Sequence, residues 1–179
     1  MAKRKSNAPQ FLTETQVARL LKCADCARDK AAILIIYRHG LRAGEMCDLE
    51  WSDLDLNAGT IKCHRLKGST DSVHPLQGDE MRALKQWRRE QEPVSKYVFT
   101  GQRGVMSVNG LNRLIHTIAA RDSELPPVHV HMLRHACGYA LANAGHDTRR
   151  VQHWLGHANI QNTVRYTQLA PNAFKGFWR

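Results

Sequence analysis

His131-Met132-Leu133-Arg134-His135, followed by Leu155-Gly156-His157 and then Tyr166, is the stretch from which the rest of this chain can be read. Pro126-Pro127 breaks the chain just before it. The spacing then predicts a helix from about His131 to Ala144, ended by Gly145. A second helix is expected from about Thr148 to Leu155, and a short last one near Thr163 carries Tyr166. His131 and Arg134 are three positions apart, so they share a helix face.

Working towards the start, Gly40-Leu41-Arg42-Ala43-Gly44-Glu45 forms a second cluster of polar groups beside a glycine turn. The apolar run before it reads as a central helix from Asp29 to His39, stopped by Gly40, with a short helix near Gly44 to Leu49 after it. Thr13-Glu14-Thr15-Gln16 has the form of a capping box and predicts a helix with Val17, Leu20 and Leu21 on its inner face. The period then changes. Thr60 to Arg65 and Ser72 to Leu76 read as strands around the loop Lys67-Gly68-Ser69-Thr70-Asp71. An amphipathic helix from Glu80 to Gln91, a short edge strand at Tyr97-Val98-Phe99 and a helix from about Val108 to Arg121 capped by Ser107 complete the sequence of elements. The sum is a mainly helical α+β domain over residues 11–179 with one small antiparallel sheet; residues 1–10 read as a flexible basic arm.

The 179 residues suit one domain with a real core. With 26 Lys and Arg against 16 Asp and Glu, the formal charge is +10, which makes a polyanion the first partner to consider. No apolar run approaches the roughly 20 residues that span a bilayer, and no apolar segment follows the basic start, so neither a membrane protein nor an exported one is expected. Five cysteines, an odd number, read as reduced thiols in the cytoplasm.

The polar residues of these clusters suit attack on a phosphodiester. Guanidinium groups are planar forks that grip two oxygens at once and stabilise the crowded transition state more than the ground state. Arg42 and Arg134 are the candidates. Tyr166 is the candidate nucleophile: a phenol, with a pKa near about 10, needs help to lose its proton. His131 is placed as general base for the tyrosine or as a donor to phosphate, and His157 as a second donor. Lys67, at the tip of the strand pair, can protonate the leaving oxygen. Glu45 can orient Arg42 or His157; equally, an acid there can simply face the helix dipole. Taken singly, each is an ordinary surface or packing residue, and His116, His129, His135, His146 and His153 are read that way.

Together, Gly40 to Glu45, Lys67, His131 to His135, Leu155-Gly156-His157 and Tyr166 come in the order and rough spacing of the catalytic domains of tyrosine recombinases, also called phage-type integrases. Each motif is weak alone, and the five together are specific. The resemblance covers about residues 11–179 and lies nearest the short bacterial inversion recombinases of fimbrial phase switches. It implies the tyrosine recombinase catalytic-domain fold. It implies that Arg42, Lys67, His131, Arg134 and His157 activate the phosphate and that Tyr166 attacks it, leaving a 3′-phosphotyrosine without metal, cofactor or ATP. The implied partners are double-stranded DNA carrying inverted-repeat sites, a homotetramer in the synaptic complex and accessory DNA-bending proteins, in the cytoplasm at the bacterial nucleoid. Typical members carry a separate DNA-clamping domain before the catalytic one. Too few residues precede Arg42 for it here, as in the fimbrial type. Phe174, Phe177 and Trp178 in the tail can dock on a neighbouring subunit or fold back on their own core.

Two other readings compete. One is a non-catalytic DNA-binding regulator derived from such an enzyme, whose hallmark is a lost tyrosine or arginine. The other is a histidine metalloenzyme using His131 and His135 at i, i+4; no Glu follows the first His as the zinc-protease motif requires, and Cys23-x-x-Cys26 is a single pair without a second.

Overall fold

The computed structural model describes residues 11–66, 70–101 and 104–168. The chain begins with α1 (Glu14–Lys22), α2 (Ala27–His39) and α3 (Ala43–Cys47), passes a 3₁₀ turn at Trp51–Asp53, and enters a three-stranded sheet of β1 (Leu54–Asp55), β2 (Thr60–Cys63) and β3 (Ser72–Pro75). Then follow α4 (Gly78–Glu90), the small pair β4 (Thr100–Gly101) and β5 (Gly104–Val105), α5 (Val108–Ala119), α6 (Val130–Asn143), α7 (Thr148–Leu155) and α8 (Gln161–Gln168). Both sheets are antiparallel; in the larger one β2 is central, with Ile61 opposite Leu54 on one side and His74 on the other.

Helix α2 is apolar nearly all round, which a helix can be only when surrounded. Ala31, Ala32, Ile33, Ile35 and Ile36 are fully buried. The helix packs against α4 and α6. Arg38 near its end closes ion pairs with Asp79 and, at 3.3 Å, with Glu80 of α4. The expected capping box of α1 is present: the Gln16 N–H donates to Thr13 Oγ1 at 3.2 Å, and Gln16 Oε1 accepts from the Thr13 N–H at 3.0 Å. A second, smaller cluster joins Cys137 and Ala142 of α6, Val151 and Leu155 of α7 and Tyr166 of α8. The candidate nucleophile is thus also a core residue.

Tyr97-Val98-Phe99 is not a strand. Its polar main-chain groups are satisfied otherwise: the Val98 N–H donates to Leu49 O at 2.9 Å, while Val98 O accepts from the Trp87 indole at 2.6 Å and from the Gln91 amide. One bridge, Glu50 to Tyr97, remains of the expected pairing. The α5 helix stops at Ala119, two residues before the expected end, and β1 was not foreseen because two residues carry no readable period. The basic arm, the Lys67 loop tip and the aromatic tail lie outside the described residues.

Gly40 ends α2 with φ +59°, and a Cβ there would collide with the Leu155 side chain. Gly40→Ala is therefore expected to destabilise the fold by more than about 1 kcal/mol. An unchanged melting temperature would contradict this.

Candidate active site

The Gly40 turn releases the chain from α2 and makes Arg42 the N-cap of α3. Glu45, at the third position of that helix, turns back: its Oε2 accepts from the Arg42 N–H at 2.9 Å, and its Oε1 pairs with the Arg42 guanidinium. The carboxylate is wholly buried and serves two more guanidiniums, Arg65 at 3.0 Å and Arg134 at 3.9 Å. The two readings of Glu45 therefore hold together, since it both caps α3 and orients Arg42. It has no bond to His157 among the described residues. Burial opposes its ionisation, but the Arg42 N–H and the guanidiniums outweigh that and hold its pKa below the usual value.

Arg134 is 2 % exposed. Its guanidinium donates to Gly40 O and, at 2.7 Å, to Leu155 O. It thereby ties the end of α2 to the end of α7. Burial lowers its pKa to about 10, so it stays charged at neutral pH. The Arg42 side chain keeps 34 % of its surface exposed. It faces a cleft of about 440 Å³ lined by Ala43, Asn112, His129, Val130 and His131.

Arg65 was not singled out from the sequence. It follows strand β2, and its side chain is entirely buried, donating to Glu45, His39 O and Trp154 O. Gly156, with φ +62°, lies against its methylenes; a Cβ there would come within 2.7 Å of Arg65 Cγ. The glycine of Leu155-Gly156-His157 is therefore needed for both the backbone turn and the close approach. The only sequence signal for Arg65 was its place two residues before Lys67, too little to separate it from a surface charge.

Tyr166 is fully buried. Its hydroxyl is 2.7 Å from His135 Nδ1 and accepts from Arg165 Nη2 at 3.3 Å. The His157 ring lies parallel to the phenol at 6.2 Å, and Tyr139 meets it edge-on at 5.0 Å. Gly138 leaves room for the ring: a Cβ there would stand 2.8 Å from it. His135, read from sequence as a packing residue, is the histidine that touches the hydroxyl, whereas His131 faces the cleft and meets His135 edge-on at 4.2 Å. The reason is position along the helix axis: 131 and 135 share one face of α6, 135 lies opposite Tyr166 of α8, and 131 lies a turn nearer the N-terminal end. His157 Nδ1 is held by Thr163 Oγ1 at 2.8 Å. Burial raises the Tyr166 pKa, with Arg165 pulling the other way. Burial, with the neighbouring cations, lowers both His135 and His157 to about 3, so both rings are neutral at pH 7. His131 is lowered for the same reasons.

The sequence profile of the phage integrase family matches residues 10–173. The type 1 fimbriae regulatory protein FimE of Escherichia coli K12 is 40% identical, the alignment covering 94% of this chain and 90% of FimE. FimB of the same strain is 41% identical over 94% of this chain and 88% of its own. The tyrosine recombinase XerC of Xanthomonas axonopodis pv. citri is 35% identical over 90% of this chain, which spans 54% of XerC. Among solved structures, the XerA recombinase superposes with a TM-score of 0.81 at 28% identity, over 94% of this chain and 64% of XerA.

Glu45→Gln leaves the Arg42, Arg65 and Arg134 guanidiniums without their shared anion. It is expected to cost about 3 kcal/mol or more in chemical denaturation. A loss below about 1 kcal/mol would show that the carboxylate is not what gathers them. A pH effect follows as well. An unfolded histidine binds a proton near 6.5, whereas folded His135 and His157 do so only near 3. Between those values the unfolded chain holds more protons, so stability falls as pH drops from about 6.5. The His135→Gln/His157→Gln pair should flatten the melting temperature against pH above the carboxylate range; an unaltered slope would refute this.

Proposed function

This chain belongs to the phage integrase family, the tyrosine recombinases, and on that premise we propose that it cuts and rejoins DNA at specific sites, by inversion of the segment between them. The observation that carries the reading is the gathering of three guanidiniums on one buried carboxylate, with Arg42 turned to an open cleft and a tyrosine held by imidazole and guanidinium alongside.

In this reading a strand's phosphate enters the cleft and meets Arg42, with the charge of Arg134 behind it. His131 and His157 donate to its oxygens; a neutral imidazole keeps one N–H for this. As α8 shifts, the Tyr166 hydroxyl leaves His135, its proton passes to His131 at the cleft, and the phenolic oxygen forms a bond to phosphorus. The bond from phosphorus to the 5′ oxygen breaks, and that oxygen takes a proton from Lys67. The products are a 3′-phosphotyrosine and a free 5′ hydroxyl. A 5′ hydroxyl from another strand reverses these steps, so the bond energy is conserved and no nucleotide is consumed. Guanidiniums supply the positive field that a metal would otherwise bring to the phosphate.

A fully buried ring cannot reach a duplex, so α8 must shift for attack. Double-stranded DNA with inverted-repeat sites is the substrate, in keeping with the +10 charge and the basic first ten residues. Four subunits assemble on two sites, with accessory DNA-bending proteins. A hollow of about 550 Å³, with Leu141, Val151 and Trp154 in its wall together with His146, Arg149, Arg150 and His153, offers a seat for a neighbour's aromatic tail. The described residues contain no helix long and apolar enough to cross a membrane, which suits action at the nucleoid in the cytoplasm. The burial of Tyr166 favours one second reading, a DNA-binding regulator that never cuts.

Tyr166→Phe separates the two. It removes the hydroxyl's two hydrogen bonds, each worth about 1 kcal/mol, and should leave folding and DNA binding intact. The enzyme reading expects adducts of the wild type on a nicked substrate to survive denaturing electrophoresis and to vanish in this variant. Equal adducts in both, or none in either, would sink the assignment. Arg134→Lys loses the fork that spans Gly40 O and Leu155 O, and adduct formation should slow about 100-fold or more. Wild-type rates would show that the charge alone suffices.

A further inference from the structure

Behind the Gly40 turn, three metal-ligating groups meet in the core. His39 ends α2, Cys63 ends β2 and His74 lies in β3; none is more than 2 % exposed. His39 Nδ1 and His74 Nδ1 face each other at 3.1 Å, Cys63 Sγ is 3.6 Å from His74 Nδ1, and all three donor atoms lie within 4.8 Å of one another. The far nitrogens are both anchored. His39 Nε2 donates to Glu80 Oε1 at 3.0 Å, and His74 Nε2 is 2.9 Å from Ser72 Oγ. Trp154 stacks on His74 at 3.7 Å and closes the cluster.

We propose that His39, Cys63 and His74 form a structural site for a thiolate-binding transition-metal ion of the Zn²⁺ class. The spacing fits. With Zn–N near 2.0–2.1 Å and Zn–S near 2.3 Å, a tetrahedral centre sets its ligands about 3.3 Å apart for two nitrogens and about 3.6 Å for nitrogen and sulfur. The His39–His74 and Cys63–His74 distances are close to these values, and the His39–Cys63 pair lies within 4.8 Å. A ligating imidazole characteristically gives its other N–H to a carboxylate, as His39 does to Glu80. Two imidazoles and a sulfur are the donor set that favours zinc over magnesium or calcium.

Without an ion, a single proton between the two Nδ1 atoms completes a chain from Glu80 to Ser72. With an ion, that proton's place is taken by the metal. His74 then carries its proton on Nε2 and donates it to Ser72 Oγ, and the Cys63 thiol releases its proton to solvent. The ion's two positive charges face the thiolate and the Glu80 carboxylate. Such a site would pin the β2–β3 hairpin to the end of α2, and so fix Arg65 relative to Arg42. It lies apart from the cleft and does not rest on the recombinase reading.

Chelator-stripped full-length protein, reduced and kept from air, is titrated with Co²⁺ and then with Zn²⁺. The site expects a thiolate-to-cobalt absorption band that saturates at one Co²⁺ per chain and is abolished by Zn²⁺. It expects the band to be retained in Cys23→Ser/Cys26→Ser and lost in Cys63→Ala. His74→Gln, which keeps the thiol, should weaken Co²⁺ binding by at least about tenfold and serves if Cys63→Ala does not fold. No band in the folded wild type, a band that persists in folded Cys63→Ala, a band lost with Cys23 and Cys26, or wild-type affinity in His74→Gln would each overturn the proposal. DNA cleavage assays are not needed for any of these outcomes.

Discussion

One buried carboxylate organises the candidate site. Glu45 is surrounded by the guanidiniums of Arg42, Arg65 and Arg134, which come from the start of α3, the segment just after β2 and the first half of α6. Three like charges would not gather in a core unaided, because each costs several kcal/mol to desolvate and repels the others. The carboxylate offsets part of this. Main-chain carbonyls of His39, Gly40, Trp154 and Leu155 offset more, by accepting from Arg65 Nη2 and from both Nη groups of Arg134, while Arg65 Nε stays buried without a partner. The excess of positive charge that survives is the feature a phosphate would meet through Arg42.

These carbonyls belong to the last turns of α2 and α7, where helices leave acceptors unpaired. Arg65 and Arg134 therefore act as the C-terminal caps of two helices while holding the site together. The glycines at 40 and 156 follow those turns in left-handed conformation and release the acceptors. Local backbone chemistry and site electrostatics are one construction here, and a change to either disturbs both.

Most of the fold was legible because its signals are periodic. The apolar run before Gly40, the Thr13–Gln16 cap and the two strands beside the Lys67 loop each carry their own instruction. Tyr97 to Phe99 misled because its composition favours a strand, while its acceptors are taken by Trp87 and Gln91, far enough back along the chain to leave no local trace. In the site, Arg42 and Arg134 meet on Glu45, and His157 lies beside Tyr166. Arg65 and His135 were missed for a shared reason. What marks them is a partner across the fold, Glu45 for one and Tyr166 for the other, and a contact made only in three dimensions leaves no spacing to read. The His39, Cys63 and His74 cluster was silent in the same way, its members being separated by 24 and 11 positions (63 − 39 and 74 − 63).

The packing of Tyr166 bears on how such a protein idles. Uncovering an aromatic ring of this size costs roughly 1.5–3 kcal/mol, and giving up its two hydrogen bonds adds about 1 kcal/mol each. At about 1.4 kcal/mol per tenfold, that leaves roughly one molecule in a few hundred to one in a few thousand with the hydroxyl at large. A chromosome offers phosphates everywhere; if Tyr166 is the nucleophile proposed above, a blade kept sheathed in nearly every copy would spare all but the site whose binding draws it.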